Sequence, residues 1–314
     1  MSNPNDYIFT QEQNRERITI SRFFGDRLSL LDHWFSPTMK WDLPFVWLGF
    51  RVPHQRLLKG AQCPTERFQG DVDVFGACLE CSSNEDYQEY LANIRKEFSD
   101  SAHPTRVVNW TIQTMIGEGR VKWPPSLSYI GATEVKTAYF NAAGDLKGAG
   151  DKYNGRKQAL TLCKMGFDRV ALARFVVTEP VHSGQFHPWM VASARSGAAM
   201  DEYTGESKGI VVDANDPYGT ILISSGAVVG KLENMAGGLS GKWLREPLDN
   251  PIRHEGAELR EAIVRNLLSV FERYHFPRTF PVLILACSDE LCSELYISGA
   301  DPNALCPKCG SQPR

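Results

Sequence analysis

No apolar run in this chain of 314 residues approaches the roughly 18 that a helix needs to cross a bilayer, which argues against a membrane role. The first residues, Met1 to Ile8, carry neither a basic region nor an apolar stretch, and so predict a cytoplasmic protein rather than an exported one. There is no basic excess either. Lys and Arg number 34 against 37 Asp and Glu, a formal net charge of -3. A protein that holds nucleic acid through phosphates alone usually carries a positive surplus, so any such contact here must be a local patch or be lent by a partner. The loop Met235-Ala-Gly-Gly-Leu-Ser-Gly241 lacks the Gly-Lys-Ser/Thr ending of a phosphate-binding loop. Repeats and low-complexity linkers are also missing, and 42% hydrophobic content is enough for a large core. Residues 1–286 therefore read as one continuous α/β unit.

Two short segments stand out in what is present. Gly70-Asp-Val-Asp-Val-Phe-Gly76 and Gly131-Ala-Thr-Glu-Val-Lys136 each alternate charged and apolar residues in the period of a strand. Asp71 and Asp73 then share one face of the first strand, and Glu134 and Lys136 share one face of the second. Val72, Val74 and Val135 point the other way, towards a core. Three carboxylates and an amine that converge are costly to hold together unless a divalent cation neutralises them, and Mg²⁺ held by one or two carboxylates beside a phosphate is a common solution.

These segments resemble the PD-(D/E)XK nuclease superfamily, in which an acid on one core strand and an acidic-X-Lys triplet on the next bind metal and activate water. The resemblance covers residues 60–180 and rests on order. Asp71 or Asp73 supplies the first acid, and Glu134 with Lys136 forms the triplet. Gln158 lies on the following predicted helix, Lys152 to Met165, and an apolar strand follows from Arg169 to Thr178. Glu66 is a candidate for a further upstream acid. About sixty residues separate Asp73 from Glu134, a distance that an insertion carrying the charged stretch Asn84 to Phe98 would fill. A rival alignment uses Glu80, which lacks the accompanying Lys and would describe a weakened or inactive site.

The resemblance implies a restriction-endonuclease-like core, a central mixed β-sheet flanked by helices, and a Mg²⁺- or Mn²⁺-dependent endonuclease acting on nucleic acid, with DNA ahead of RNA. Asp71, Asp73 and Glu134 would hold the ion, Lys136 would orient the attacking water, and Gln158 would position water or phosphate. Lys147, Lys152, Arg156, Lys157, Lys164 and Arg169 surround the Gln158 helix as candidate backbone contacts. Relatives without an evident recognition domain often serve in bacterial anti-phage or mobile-element systems beside a helicase or ATPase, which makes such a protein the expected partner. The competing expectation is a catalytically inactive scaffold or nucleic-acid-binding module, with the Glu80 alignment as its support and the cysteine tail as its contact surface. A separate alternative makes the charges solvated strand faces closed by ordinary salt bridges between Lys136 and a nearby acid.

Four of the eight cysteines crowd the C-terminal 28 residues. Cys287 and Cys292 form a C-x4-C pair, and Cys306 and Cys309 a C-x2-C pair within Cys-Pro-Lys-Cys-Gly, which resembles a zinc-ribbon knuckle. Four thiolates close a tetrahedral Zn²⁺ shell, so residues 287–314 are expected to be a tail held in shape by structural zinc that does no chemistry. Cys63, Cys78, Cys81 and Cys163 default to packing, and His182 and His187 to satisfied loop histidines.

The remaining pattern predicts an amphipathic helix over 10–35 and strands at 45–52, 208–213, 219–224 and 280–286. A helix over 256–274 carries Leu259, Ile263, Leu267, Val270 and Phe271 on one side.

Overall fold

The computed structural model describes residues 45–62, 68–79, 85, 117–120, 127–140, 146–147, 155–178, 213–224, 240–274, 282–297 and 304–314. The expectations for 10–35, 208–212, Glu66, Glu80, Cys63, Cys81, Lys152, His182 and His187 lie outside them.

The described elements are β1 (Phe45–Pro53), a single helical turn α1 (His54–Leu57), β2 (Asp71–Leu79), β3 (Leu127–Phe140) and β4 (Leu146–Lys147). They continue with α2 (Arg156–Lys164), β5 (Arg169–Thr178), β6 (Gly219–Ser224) and β7 (Ser240–Arg245). A 3₁₀ turn (Arg253–Gly256) leads into α3 (Ala257–Tyr274), which is followed by β8 (Val282–Ala286) and β9 (Leu295–Ile297). All nine strands join one mixed sheet in the order β7-β6-β5-β3-β2-β1-β8-β9, with β4 pairing β3. The architecture is α/β, and the cysteine tail extends the same sheet, because β9 pairs antiparallel with β8.

The centre of the sheet follows from the sequence pattern. β2 lies antiparallel to β3, with Val74 opposite Thr133 and Gly76 opposite Gly131. The parallel pair β3 and β5 needs a crossover, and α2 supplies it. Ala159, Leu162 and Cys163 recur at helical spacing on α2 and are buried. They share one core with Leu259, Ile263, Leu267 and Val270 of α3 and with Phe75, Ala77, Ile130, Ala132, Val170 and Leu172 of the strands.

That core corrects one expectation. Phe75, Ala132 and Leu172 belong to the alternation that carries Asp73 and Glu134, so the charged face is itself the face beneath the helices. Val74, Val135, Ala171 and Ala173 on the other alternation are also fully buried. A central strand with cover on both sides explains this, whereas a strand with one solvated face does not.

Two glycines fix where α2 begins and ends. Gly155 precedes the helix with φ +84, and a Cβ there would come within 2.5 Å of Leu172 and 2.9 Å of the Lys136 side chain. Gly166 follows it with φ +85, and its Cβ would lie 2.6 Å from the Gly256 carbonyl. Asp168 locks the same corner. Its carboxylate accepts the Ile130 N–H at 2.8 Å and pairs with Arg260 at 3.0 Å.

Candidate metal centres: an acidic fork and a cysteine cluster

β2 and β3 part company at one place. Their ladder runs from Leu79/Leu127 to Val74/Thr133 and stops there. β2 continues alongside β1 as far as Pro53/Asp71, while β3 continues alongside β5 as far as Phe140/Thr178. Asp73 and Glu134 occupy the next facing positions, at the root of the fork. The Asp73 carboxylate takes over from the lost strand pairing by accepting the Val135 N–H at 2.7 Å. Lys136, two residues on from Glu134, pairs with it at 2.9 Å.

Asp73 is 9% exposed and Glu134 3%. Burial pushes the Asp73 pKa above the ordinary carboxylate value, against the pull of Lys136, the Val135 N–H and Arg51, while Asp71 adds to the rise. Asp71 is the more accessible acid at the mouth, 3.9 Å from Arg51 and 3.8 Å from Arg314. Arg51 holds φ at +47, a left-handed conformation that is uncommon for a residue other than glycine and is found preferentially at functional positions.

The structure thus places Asp71, Asp73, Glu134 and Lys136 around one fork. Gln158 is in the first turn of α2, exposed, at the rim of the buried stripe. The proposed basic patch is partly committed elsewhere. Arg156 pairs with Asp216 at 2.8 Å and Asp213 at 3.2 Å, and Arg169 pairs with Asp249 at 2.9 Å. Contrary to expectation, the acids need no metal ion to neutralise them, because Arg51, Lys136 and Arg314 already interleave with them.

Three residues around the fork escape the sequence pattern. Arg174, 1% exposed, lies level with Lys136 on β5. The one detectable signal is an Arg in the middle of a strand whose interior is otherwise apolar. His54, 2% exposed, follows β1, and burial lowers its pKa although the Asp71 carboxylate attracts its proton. Arg314 reaches Asp71 from the tail, which no local pattern could reveal.

The second centre is the tail. Among the described residues, the only group of three or more His, Cys, Asp or Glu side chains able to share one ion is Cys287, Cys292, Cys306 and Cys309, with all four sulfurs within 4.8 Å of one another. Cys287 and Cys309 are 3.4 Å apart, Cys292 and Cys306 3.8 Å. Both distances are close to the roughly 3.8 Å edge of a tetrahedron with metal–sulfur bonds of about 2.3 Å, and both far exceed a disulfide bond of about 2 Å.

The local backbone suits a metal knuckle. Cys287, Cys292 and Cys309 each accept a main-chain N–H from the residue two positions on, Asp289, Glu294 and Ser311. Ser293 (φ 46) and Gly310 (φ 75) make the left-handed turn directly after Cys292 and Cys309. The Ser311 hydrogen bonds bring the Cys309 thiol down to about 6, and burial pushes Cys287 up to about 12. A bound cation would favour the thiolate at all four. The donor set fits a soft or borderline ion such as Zn²⁺. Cys163 is different: buried, pushed up to about 12 and directed at the Pro217 carbonyl, it is a packing residue.

Comparison with known proteins yields no match to this chain, whether against family models, curated proteins or solved structures. Among the described residues, no helix is long and apolar enough to cross a membrane.

Proposed function

We propose that the fork is the active centre of a metal-dependent nuclease of the PD-(D/E)XK type, hydrolysing phosphodiester bonds in nucleic acid, DNA ahead of RNA. One observation carries this. Asp73 faces Glu134 where two antiparallel strands separate, Lys136 stands on the same strand face, and α2 with Gln158 leads from that strand to its parallel neighbour β5. Acid strand, triplet strand, Gln-bearing helix and apolar strand thus occur in the family's order and as spatial neighbours.

The donor set fits a hard ion. Two carboxylates at one root offer oxygen ligands of the kind Mg²⁺ or Mn²⁺ prefers, and one or two such groups are the usual protein share of a Mg²⁺ site beside a phosphate. An ion held by Asp73 and Glu134 would supply positive charge to the scissile phosphate and acidify a water. The remaining work belongs to the chain. Lys136 orients the attacking water and favours its hydroxide form. Asp71, at the mouth, is the alternative first acid for the ion, and Gln158 positions water or phosphate. A helicase or ATPase partner in an anti-phage or mobile-element system follows from the same family resemblance.

A second proposal, an inactive scaffold that uses the cysteine tail for contacts, is favoured by the closed Glu134–Lys136 pair and by the cations already among the acids. Cleavage decides between them. The parent, incubated with plasmid, linear and single-stranded DNA and with RNA in Mg²⁺ or Mn²⁺, should cut at least one substrate. Glu134→Ala/Lys136→Ala should lower the rate by about 10²-fold or more. Equal cutting by parent and variant would remove these residues from the active centre, and no cutting by either would favour the scaffold.

A further inference from the structure

A cleft of 630 Å³ lies between α1, α3 and the cysteine tail, outside the acidic fork. Four cations line it, Arg56, Lys59, Arg273 and Arg314, against two acids, Glu290 and Glu294. Glu294 is heavily used by its neighbours: its carboxylate pairs with Arg273 and with Lys308, and its carbonyl accepts the Arg56 guanidinium at 3.2 Å. In a chain of net charge -3 this is a local positive surplus, which a phosphate contact requires.

The cleft borders the mouth of the fork. Pro53 lines it and pairs with Asp71 across β1 and β2. Arg314 lines it as well, 3.8 Å from the Asp71 carboxylate. β8 holds Arg314 in place, its Ala286 carbonyl accepting the Arg314 backbone N–H at 2.8 Å. Burial lowers the pKa of Arg56, so its guanidinium has already shed part of the water that an anion would have to displace.

We propose that this cleft binds backbone phosphates of the nucleic-acid strand entering the fork, through Arg56, Lys59 and Arg314. The substrate class rests on the nuclease proposal above. The arrangement gives the tail a second task, because the segment closed by the cysteine cluster carries Arg314 to the junction of cleft and fork.

The test is binding of fluorescent DNA and RNA oligonucleotides to the zinc-loaded full chain across a salt series, with Ca²⁺ in place of Mg²⁺ to suppress cleavage. Lys59→Gln/Arg314→Gln should bind at least about tenfold more weakly and lower the slope of log affinity against log salt by about 2, one for each lost phosphate contact. Its melting temperature and zinc content should match the parent. A double variant that binds with the parent's affinity and slope overturns the cleft, as does a parent that binds neither DNA nor RNA. Glu134→Ala/Lys136→Ala separates the two proposals: it should keep oligonucleotide binding while losing cleavage. Persistent cleavage in that variant would refute the fork and leave the cleft standing.

Discussion

The cysteine cluster and the acidic fork both gather side chains of one kind, yet opposite means hold them together. In the tail, four sulfurs converge on one point, and the small apolar group around them consists of Leu285, Tyr296 and two of the cysteines themselves. Beyond the β8–β9 pairing that segment has few apolar contacts of its own, so an ion shared by the four thiolates would contribute to its fold. In the fork the carboxylates are spread over two strands and interleaved with Arg51, Lys136 and Arg314. Those cations let the sheet carry that site without a metal, and the ion proposed there would serve chemistry alone.

The comparison breaks most readily at the tail. Elemental analysis of protein never exposed to chelator should find about one zinc per chain. Cys306→Ser should release it and make residues 287–314 protease-sensitive, since metal binding supplies roughly 10 kcal/mol or more in small zinc-held units. Zinc-free protein with a protected tail would erase the contrast.

A smaller effect sharpens the fork. Glu134→Ala alone leaves the half-buried Lys136 without its 2.9 Å partner and should cost about 2 to 3 kcal/mol in a denaturant titration. That is at or below the low end for a broken buried pair, because Asp73 still attracts the amine. Glu134→Ala/Lys136→Ala should recover most of that loss. If the two changes simply add, the pair is not energetically coupled.

The smallest effect has a definite sign. The Asp73 pKa is raised in the folded state, so its contribution is favourable at low pH and is lost as pH rises from the ordinary carboxylate range through the raised value. Without added divalent metal at neutral pH, Asp73→Asn should therefore melt about 3 °C higher than the parent, for a gain of roughly 1 kcal/mol. Mg²⁺ should raise the parent's melting temperature and leave the variant's unchanged. A variant less stable than the metal-free parent at neutral pH would show that the Asp73 charge is favourable where it sits.

Where chemistry followed local pattern, it was legible in the sequence. Strand alternation located β2 and β3, the apolar run gave β5 as Arg169–Thr178, and helical spacing gave α3 to within a residue of its start. Cysteine spacing found the cluster. The misses share a cause, since each depends on which distant segment is adjacent. The core was placed only on the face opposite the acids, because alternation alone cannot reveal a helix packed across the charged face. Arg156 and Arg169 were read as a nucleic-acid patch because their acids, Asp213, Asp216 and Asp249, lie more than fifty residues away. The fork itself was invisible, because where two strands cease to pair is set by their other neighbours, β1 and β5.

Asp73 and Glu134 are proposed to share a hard divalent ion at the root of the fork. Mn²⁺ titration of the zinc-loaded chain, followed by electron paramagnetic resonance, tests this most directly. The parent should take up about one Mn²⁺ per chain, and Glu134→Gln should abolish that uptake while keeping its zinc. Equal Mn²⁺ uptake by both, or none by the parent in the presence of nucleic acid, would contradict the claim.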